Sequence, residues 1–193
     1  MRPTSPSAER QVPLVLPDLR LALVTDRGTF AAGGVDPGTK LLLLDAPPPP
    51  AGATTLVDVG TGYGPIAVTL ARRHTAAEVW AVDVNERALA LCRRNAAAAG
   101  ATNVVTARPE EVPEDLVADA VYSNPPIRIG KRALHQLLDR WLGRLAPQGR
   151  MILVVHRHLG ADSLQRWLGG GGRPVERLTS RAGYRLISVG PTP

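Results

Sequence analysis

The chain has 193 residues, of which 44% are hydrophobic and only 4% aromatic, enough for one domain whose core is built from Ala, Val and Leu. Its formal net charge of +6 favours polyanionic partners, nucleic acid first, although all but two of the 23 basic residues are arginine (the lysines are Lys40 and Lys131), as a compositionally biased genome would also produce. A single cysteine, Cys92, excludes a disulfide framework and a cysteine-based zinc site; no window approaches the ~18 apolar residues of a membrane span; and MRPTSPSAERQVP lacks the apolar stretch of a secretory signal, so a cytoplasmic protein is expected.

Residues 1–12, rich in Pro and Ser, are expected to be a disordered tail, and residues 13–193 a single domain. Within it, 13–50 reads as an N-terminal capping segment. LRLALVT (19–25) has the pattern of a short strand. Asp36 is placed to cap a helix whose first turn holds Pro37 and whose apolar run is Lys40 to Asp45. APPPPAGA is a stiff connector rather than a domain linker, because the piece before it is too small to fold alone.

From Thr54 onward strands and helices alternate. Strands are expected at 54–59, 78–84, 103–107, 118–123 and 151–156, with helices at 65–73, 86–99, 131–145 and 161–168. Pro147 to Gly149 reads as a tight turn. Two last strands, near 174–179 and 184–189, have no helix between them and should form an antiparallel hairpin. Hydrophobic strands alternating with helices predict a mostly parallel sheet covered on both faces over 54–193.

In such a sheet ligands bind beyond the carboxyl ends of the strands, so those ends are where chemistry is sought. The first reads LVDVGTGYGP. Glycines at 60, 62 and 64 permit a tight turn and close backbone approach to a ligand. A dinucleotide fingerprint needs a glycine where Pro65 stands, and a Walker loop needs Gly-Lys-Ser/Thr, so neither fits. The remaining choices are a ligand-cradling turn preceded by the acid Asp58, or a purely structural turn. The second end, VWAVDVNE, closes on Asp83, placed to accept hydrogen bonds from two ribose hydroxyls; the competing role, capping the next helix, suits Asn85 better. The fourth end, AVYSNPPIRIGK, stops an apolar run at Asn124 and follows it with two prolines.

With these motifs the chain resembles the small-domain class I S-adenosylmethionine-dependent methyltransferases, and within them the 16S ribosomal RNA guanine-N2 methyltransferase family. The resemblance runs from about Phe30 to Leu186 and rests on TFAAGGVDPGTKLLL, LVDVGTGYGPIAVTLA, VDVNERALALCRRNA, YSNPPIRIGKRALHQLL, GADSLQRWL and AGYRL. Larger members carry an extra N-terminal half; this chain resembles the compact, single-domain form. The fold implied is a Rossmann-like α/β core with a mostly parallel seven-stranded sheet and a C-terminal antiparallel hairpin. The cofactor implied is S-adenosylmethionine, held by Asp58, Gly60, Thr61, Gly62, Gly64, Asp83, Val84 and Asn124.

The reaction implied moves a methyl group to an exocyclic base amine, a poor nucleophile because its lone pair is delocalised into the ring. Acceptors on the amine hydrogens localise that lone pair. Asn124 and the Pro125 carbonyl are the implied acceptors, with Pro125 and Pro126 fixing the backbone that carries them. Phe30, Ile127, Arg128 and Lys131 are the implied substrate contacts. Ile127 stands where relatives that methylate adenine or a protein glutamine have an aromatic, which leans toward guanine N2. Phe30 serves equally well as a core residue, and Arg128, Lys131 and Arg132 as a solvated helix start. Two departures stand out. Arg108 occupies the position of an expected acid, with Glu110 or Glu111 as substitutes, and Thr61 stands where relatives often have Cys.

RNA is thus the expected partner, with the chain a monomer or homodimer, and no membrane or metal is expected; His135, His156 and His158 lack the spacing of a metal site. The rival expectations are a methyltransferase acting on a protein glutamine or small-molecule amine, and a non-catalytic RNA-binding module that keeps the cofactor pocket.

Overall fold

A computed structural model describes residues 8–27 and 34–191. Its centre is a seven-stranded sheet in the order β5-β4-β3-β6-β7-β9-β8, with a separate two-stranded hairpin β1-β2. The strands are β1 (Arg10–Val15), β2 (Arg20–Thr25), β3 (Thr55–Val59), β4 (Glu78–Val82), β5 (Val104–Ala107), β6 (Ala118–Ser123), β7 (Leu145–His156), β8 (Val175–Arg181) and β9 (Tyr184–Val189). The helices are α1 (Pro37–Asp45), α2 (Pro65–Arg73), α3 (Glu86–Ala98), α4 (Lys131–Leu142) and α5 (Ala161–Gly169). Strands β3 to β7 pair in parallel, and β9 runs antiparallel to both β7 and β8. This is the Rossmann-like architecture expected from the strand–helix rhythm.

Alternation along the strands builds the two cores. Leu56, Ala81, Ala120, Ile152 and Val154 face α1, α2, α3 and the β1-β2 hairpin. Their neighbours Val57, Val82, Val121, Leu153 and Val155 face α4 and α5 on the other side. Strands buried on both faces read as continuous apolar runs, which is why the sequence shows no polar alternation there.

The chain moves outward from β3 through β4 to β5, then returns to place β6 on β3's other side. The connections therefore diverge between β3 and β6, opening a crevice outside their carboxyl ends. Both the glycine turn and the Asn-Pro-Pro loop follow those two strands.

Three expectations are corrected. The tail boundary at residue 12 falls inside β1, which starts at Arg10. Pro13 disguises this strand; it is tolerated because β1 pairs only with β2 and has a free edge. The hairpin's inward residues Val12, Leu14, Leu21 and Leu23 are buried. Asn95 on α3 fastens it, accepting from the Val24 amide at 2.8 Å and donating to the Val24 carbonyl at 2.9 Å. Two forked ion pairs, Arg94–Glu9 and Arg73–Asp18, hold its ends.

The predicted turn at Pro147–Gly149 lies within an irregular start of β7, where the register jumps from Ala118↔Leu145 to Ala120↔Arg150. Helix α4 accordingly ends at Leu142, three residues before its expected end. The other helices match their expected spans to within three residues, and the terminal pair is an antiparallel hairpin.

Candidate active site

The glycine turn is held by its own backbone. The Gly60 and Thr61 amides both donate to the Val82 carbonyl, at 2.8 and 3.1 Å, and the Gly62 amide donates to Asp83 Oδ2 at 2.9 Å. Gly62 and Gly64 have φ of 57° and 92°, left-handed values that L side chains rarely adopt. Their surroundings differ. A Cβ at Gly62 meets nothing within 4 Å, whereas one at Gly64 would lie 2.6 Å from Cys92 Sγ and 3.3 Å from Cys92 Cα. Gly64 is needed for packing on α3, whereas Gly62 faces open space.

Asp58 sits beneath this turn. Its Oδ2 accepts from Thr61 Oγ1 at 2.7 Å and from the Ala67 amide at 3.0 Å, tying β3 to the first turn of α2. Its Oδ1 is buried with no partner. Burial, and secondarily the charge of Asp83, push its carboxyl up to about 7, against the pull of those hydrogen bonds. The same burial pushes the Cys92 thiol up to about 12. Asp58 and Thr61 therefore brace the cradle from below.

Asp83 is positioned from two sides, Oδ2 by the Gly62 amide and Oδ1 by the Asn85 amide at 2.9 Å. Asn85 caps α3 with its own side chain, as the sequence suggested. Val84 beside it is 60% exposed, an apolar platform at the rim. Further along, Arg108 pairs with both Glu110 and Glu111 and its amide donates to Glu111 Oε2 at 2.7 Å. The two candidate replacement acids are thus engaged by the arginine that displaced them.

Across the crevice, Ser123 Oγ donates to the Val59 carbonyl at 2.6 Å and locks the ends of β6 and β3 together. Pro126 has φ −74° and ψ 73°, and the Ile127 amide donates to the Pro125 carbonyl at 2.8 Å, an inverse γ-turn. That carbonyl keeps one further lone pair. Asn124 Nδ2 donates to Asp36 Oδ1 at 2.8 Å and to Thr39 Oγ1 at 3.0 Å. Both amide hydrogens are used, which leaves Oδ1 as the acceptor of that side chain. Asp36 Oδ1 also caps α1 through the Thr39 amide at 3.0 Å.

The two loops meet. A Cβ at Gly60 would lie 3.7 Å from Pro126 Cδ. Between them is a small cleft lined by Asp36, Thr39, Gly60, Thr61, Gly62 and Asn124, among others. Ile127 is half-buried against the α4-side core, while Arg128 and Lys131 are exposed on the same rim. Phe30 lies outside the described residues. His135 stacks on Trp167 with ring centroids 3.7 Å apart, which accounts for it as a packed surface residue. Among the described residues no group of three His, Cys, Asp or Glu side chains is arranged to hold a metal, and no helix is long and apolar enough to cross a membrane.

Sequence reasoning placed the glycine turn, Asp83 and Asn124 together. It gave Asp36 only a capping role and missed Thr39, which join the site through the fold. A helix start rich in polar groups, Val-Asp-Pro-Gly-Thr, was the available signal.

The family model described as methyltransferase small domain matches residues 20–188. An uncharacterized protein of Bacillus subtilis, YbxB, is 32% identical over 86% of this chain and 83% of its own length. Ribosomal RNA small subunit methyltransferase C of Pseudomonas aeruginosa is 33% identical over 91% of this chain, which spans only 53% of that protein. Among solved structures, a T. thermophilus 16S rRNA N2 methyltransferase in complex with AdoMet and guanosine aligns with a TM-score of 0.77 and 25% identity, covering 98% of this chain and 52% of that one.

Proposed function

The chain belongs to the methyltransferase small domain family and is an S-adenosylmethionine-dependent methyltransferase, and we propose that it methylates an exocyclic amine of an RNA base, guanine N2 of small-subunit ribosomal RNA. The observation that carries this reading is the commitment of both Asn124 amide hydrogens to Asp36 and Thr39, which leaves an acceptor oxygen on a side chain lining the crevice. The similarity to a guanine-N2 enzyme over nearly the whole of this chain supports the choice of base. The aliphatic Ile127 supports it as well.

The residues present fit the cofactor. Gly62 has open space where a side chain would stand, its φ is left-handed, and Asp83 is held by two backbone amides at the end of β4. The cofactor supplies an electrophilic methyl group on a sulfonium. Asp83 would accept from vicinal ribose hydroxyls, and the glycines at 60 and 62, lacking side chains, would let the backbone approach closely. Val84 offers apolar surface to the adenine.

The chain's own chemistry is orientation. Asn124 Oδ1 accepts one amine hydrogen and the second lone pair of the Pro125 carbonyl accepts the other, which localises the nitrogen lone pair toward the electrophile. The methyl group would leave the sulfonium sulfur as the N–C bond forms, with the C–S bonding pair staying on sulfur as a neutral thioether. The nitrogen, cationic at that point, would lose a proton to solvent, so no strong general base is required. Arg128 and Lys131 meet the phosphates that flank the target base.

The test is labelled-methyl transfer to naked small-subunit rRNA and to 30S particles, followed by nucleoside mass spectrometry. The expected product is N2-methylguanosine. Label that survives exhaustive ribonuclease treatment on protein, or another methylated nucleoside, overturns the substrate assignment.

A further inference from the structure

Asn124 is the one side chain whose orientation decides the proposed chemistry, and it does not orient itself. An amide has an acceptor end and a donor end of nearly equal shape. If Asn124 were reversed, its oxygen would abut Asp36 Oδ1 and Thr39 Oγ1, and its NH2 group would face the incoming amine, donor against donor. Only one orientation agrees with the carboxylate beside it.

The structure shows how that carboxylate is brought there. The sequence Asp36-Pro37-Gly38-Thr39 starts α1, with Asp36 Oδ1 accepting from the Thr39 amide at 3.0 Å. The same Oδ1 accepts from Asn124 Nδ2 at 2.8 Å, and Thr39 Oγ1 accepts the second amide hydrogen at 3.0 Å. Tyr184, at the start of β9, presses on this turn so closely that a Cβ at Gly38 would lie 2.6 Å from its ring. The same Cβ would lie 2.9 Å from Asp36 Oδ1, so ring and carboxylate crowd one turn; burial and then the Asp36 charge accordingly raise the Tyr184 phenol above its ordinary value. The helix start is thereby fixed from the sheet side, and Asn124 is fixed from the helix side. Thr39 is buried and Asp36 lines the crevice.

We propose that Asp36 and Thr39 are positioning residues for methyl transfer, locking Asn124 with its oxygen toward the acceptor amine and polarising that oxygen through the amide. The inference rests on the proposed function for its consequence but not for its geometry. Donation from the NH2 group to a carboxylate draws electron density along the amide onto Oδ1, because linked hydrogen bonds strengthen one another. Neither residue takes up or delivers a proton in this scheme.

Two variants separate positioning from helix stability. Asp36→Ser keeps an N-cap oxygen for the Thr39 amide but removes the charge and the reach to Asn124. Thr39→Val is near-isosteric and removes only the hydroxyl, and Thr39→Ser restores it. Side-chain amide NMR of Asn124 reads the lock without turnover. The wild type and Thr39→Ser should show both amide protons shifted downfield and slow to exchange, and Asp36→Ser and Thr39→Val should lose one or both features.

In turnover with RNA, Thr39→Val should lower kcat about ten-fold with cofactor affinity unchanged, Asp36→Ser should lower it more, and Thr39→Ser should recover most of it. In an Asn124→Ala background neither substitution should lower kcat further, because the group they position is gone. Multiplying losses in that cycle, or Asn124 amide signals indifferent to Asp36→Ser, would overturn the proposal. A wild type that transfers no methyl to RNA would instead sink the substrate assignment, while the NMR comparison still decides the orientation.

Discussion

The two loops that flank the crevice are fixed by different means. The glycine turn after β3 is held mainly by its own backbone amides, which bond to Val82 and Asp83 at the end of β4, and by the nearby Asp58, which bonds back to Thr61 and Ala67. The Asn-Pro-Pro loop after β6 is held by a helix start 85 and 88 positions earlier in the chain, Thr39 and Asp36. The first needs special backbone angles, so glycine spacing announces it. The second needs a particular side-chain orientation, which only the assembled fold supplies. The two loops lie side by side: a Cβ placed on Gly60 would stand 3.7 Å from Pro126 Cδ.

The sharpest break in that comparison comes from the cradle. Gly64→Ala puts a Cβ against Cys92, including its backbone, at a φ of 92°. Such overpacking plus backbone strain should cost about 3 kcal/mol, roughly 6–12 °C in Tm for a domain of this size, read by thermal unfolding. Gly62→Ala should behave oppositely. Its Cβ meets open space, so stability should fall by only about 1 kcal/mol, while S-adenosylmethionine affinity by calorimetry should drop about ten-fold or more.

Asp58 gives a pH signature confined to the cradle. Its folded value of about 7 lies above the ordinary 3.8, so the folded chain holds this proton more tightly than the unfolded chain does. The resulting stabilisation is fully present below about pH 4 and is lost as pH rises through about 7. Asp58→Asn removes that dependence. The variant's Tm relative to wild type should therefore rise by several degrees between pH 4 and pH 7.5, and a flat difference would contradict the buried, partnerless Oδ1. The smallest effect belongs to the outer rim. Arg128→Ala and Lys131→Ala should each weaken RNA binding modestly and reduce the slope of log affinity against log salt by about 0.7–0.9, with cofactor affinity unchanged.

This contrast also explains what the sequence made legible. The strand–helix rhythm gave the sheet, and the Gly-x-Gly-x-Gly turn, Asp83 and Asn124 fell at strand ends because parallel sheets put their ligands there. Asn85 was readable as a cap because caps are local. The hairpin strand Arg10–Val15 was not readable, since Pro13 argues against a strand until one sees its free edge. The early end of α4 and the irregular start of β7 were hidden because register shifts depend on the partner strand. Asp36 and Thr39 look like an ordinary helix start, and their second use depends on the distant placement of Asn124. Asp58, expected at the ligand, turned out to be fully buried below the turn, a depth that strand-end position alone does not reveal.

The most direct measurement is single-turnover methyl transfer by Asn124→Ala alongside calorimetric S-adenosylmethionine binding. With the cradle intact and the acceptor oxygen removed, the account predicts unchanged cofactor affinity and a rate lower by about 100-fold or more, the value of one preorganised hydrogen bond of about 3 kcal/mol. A variant that binds the cofactor normally and transfers methyl at the wild-type rate would contradict it.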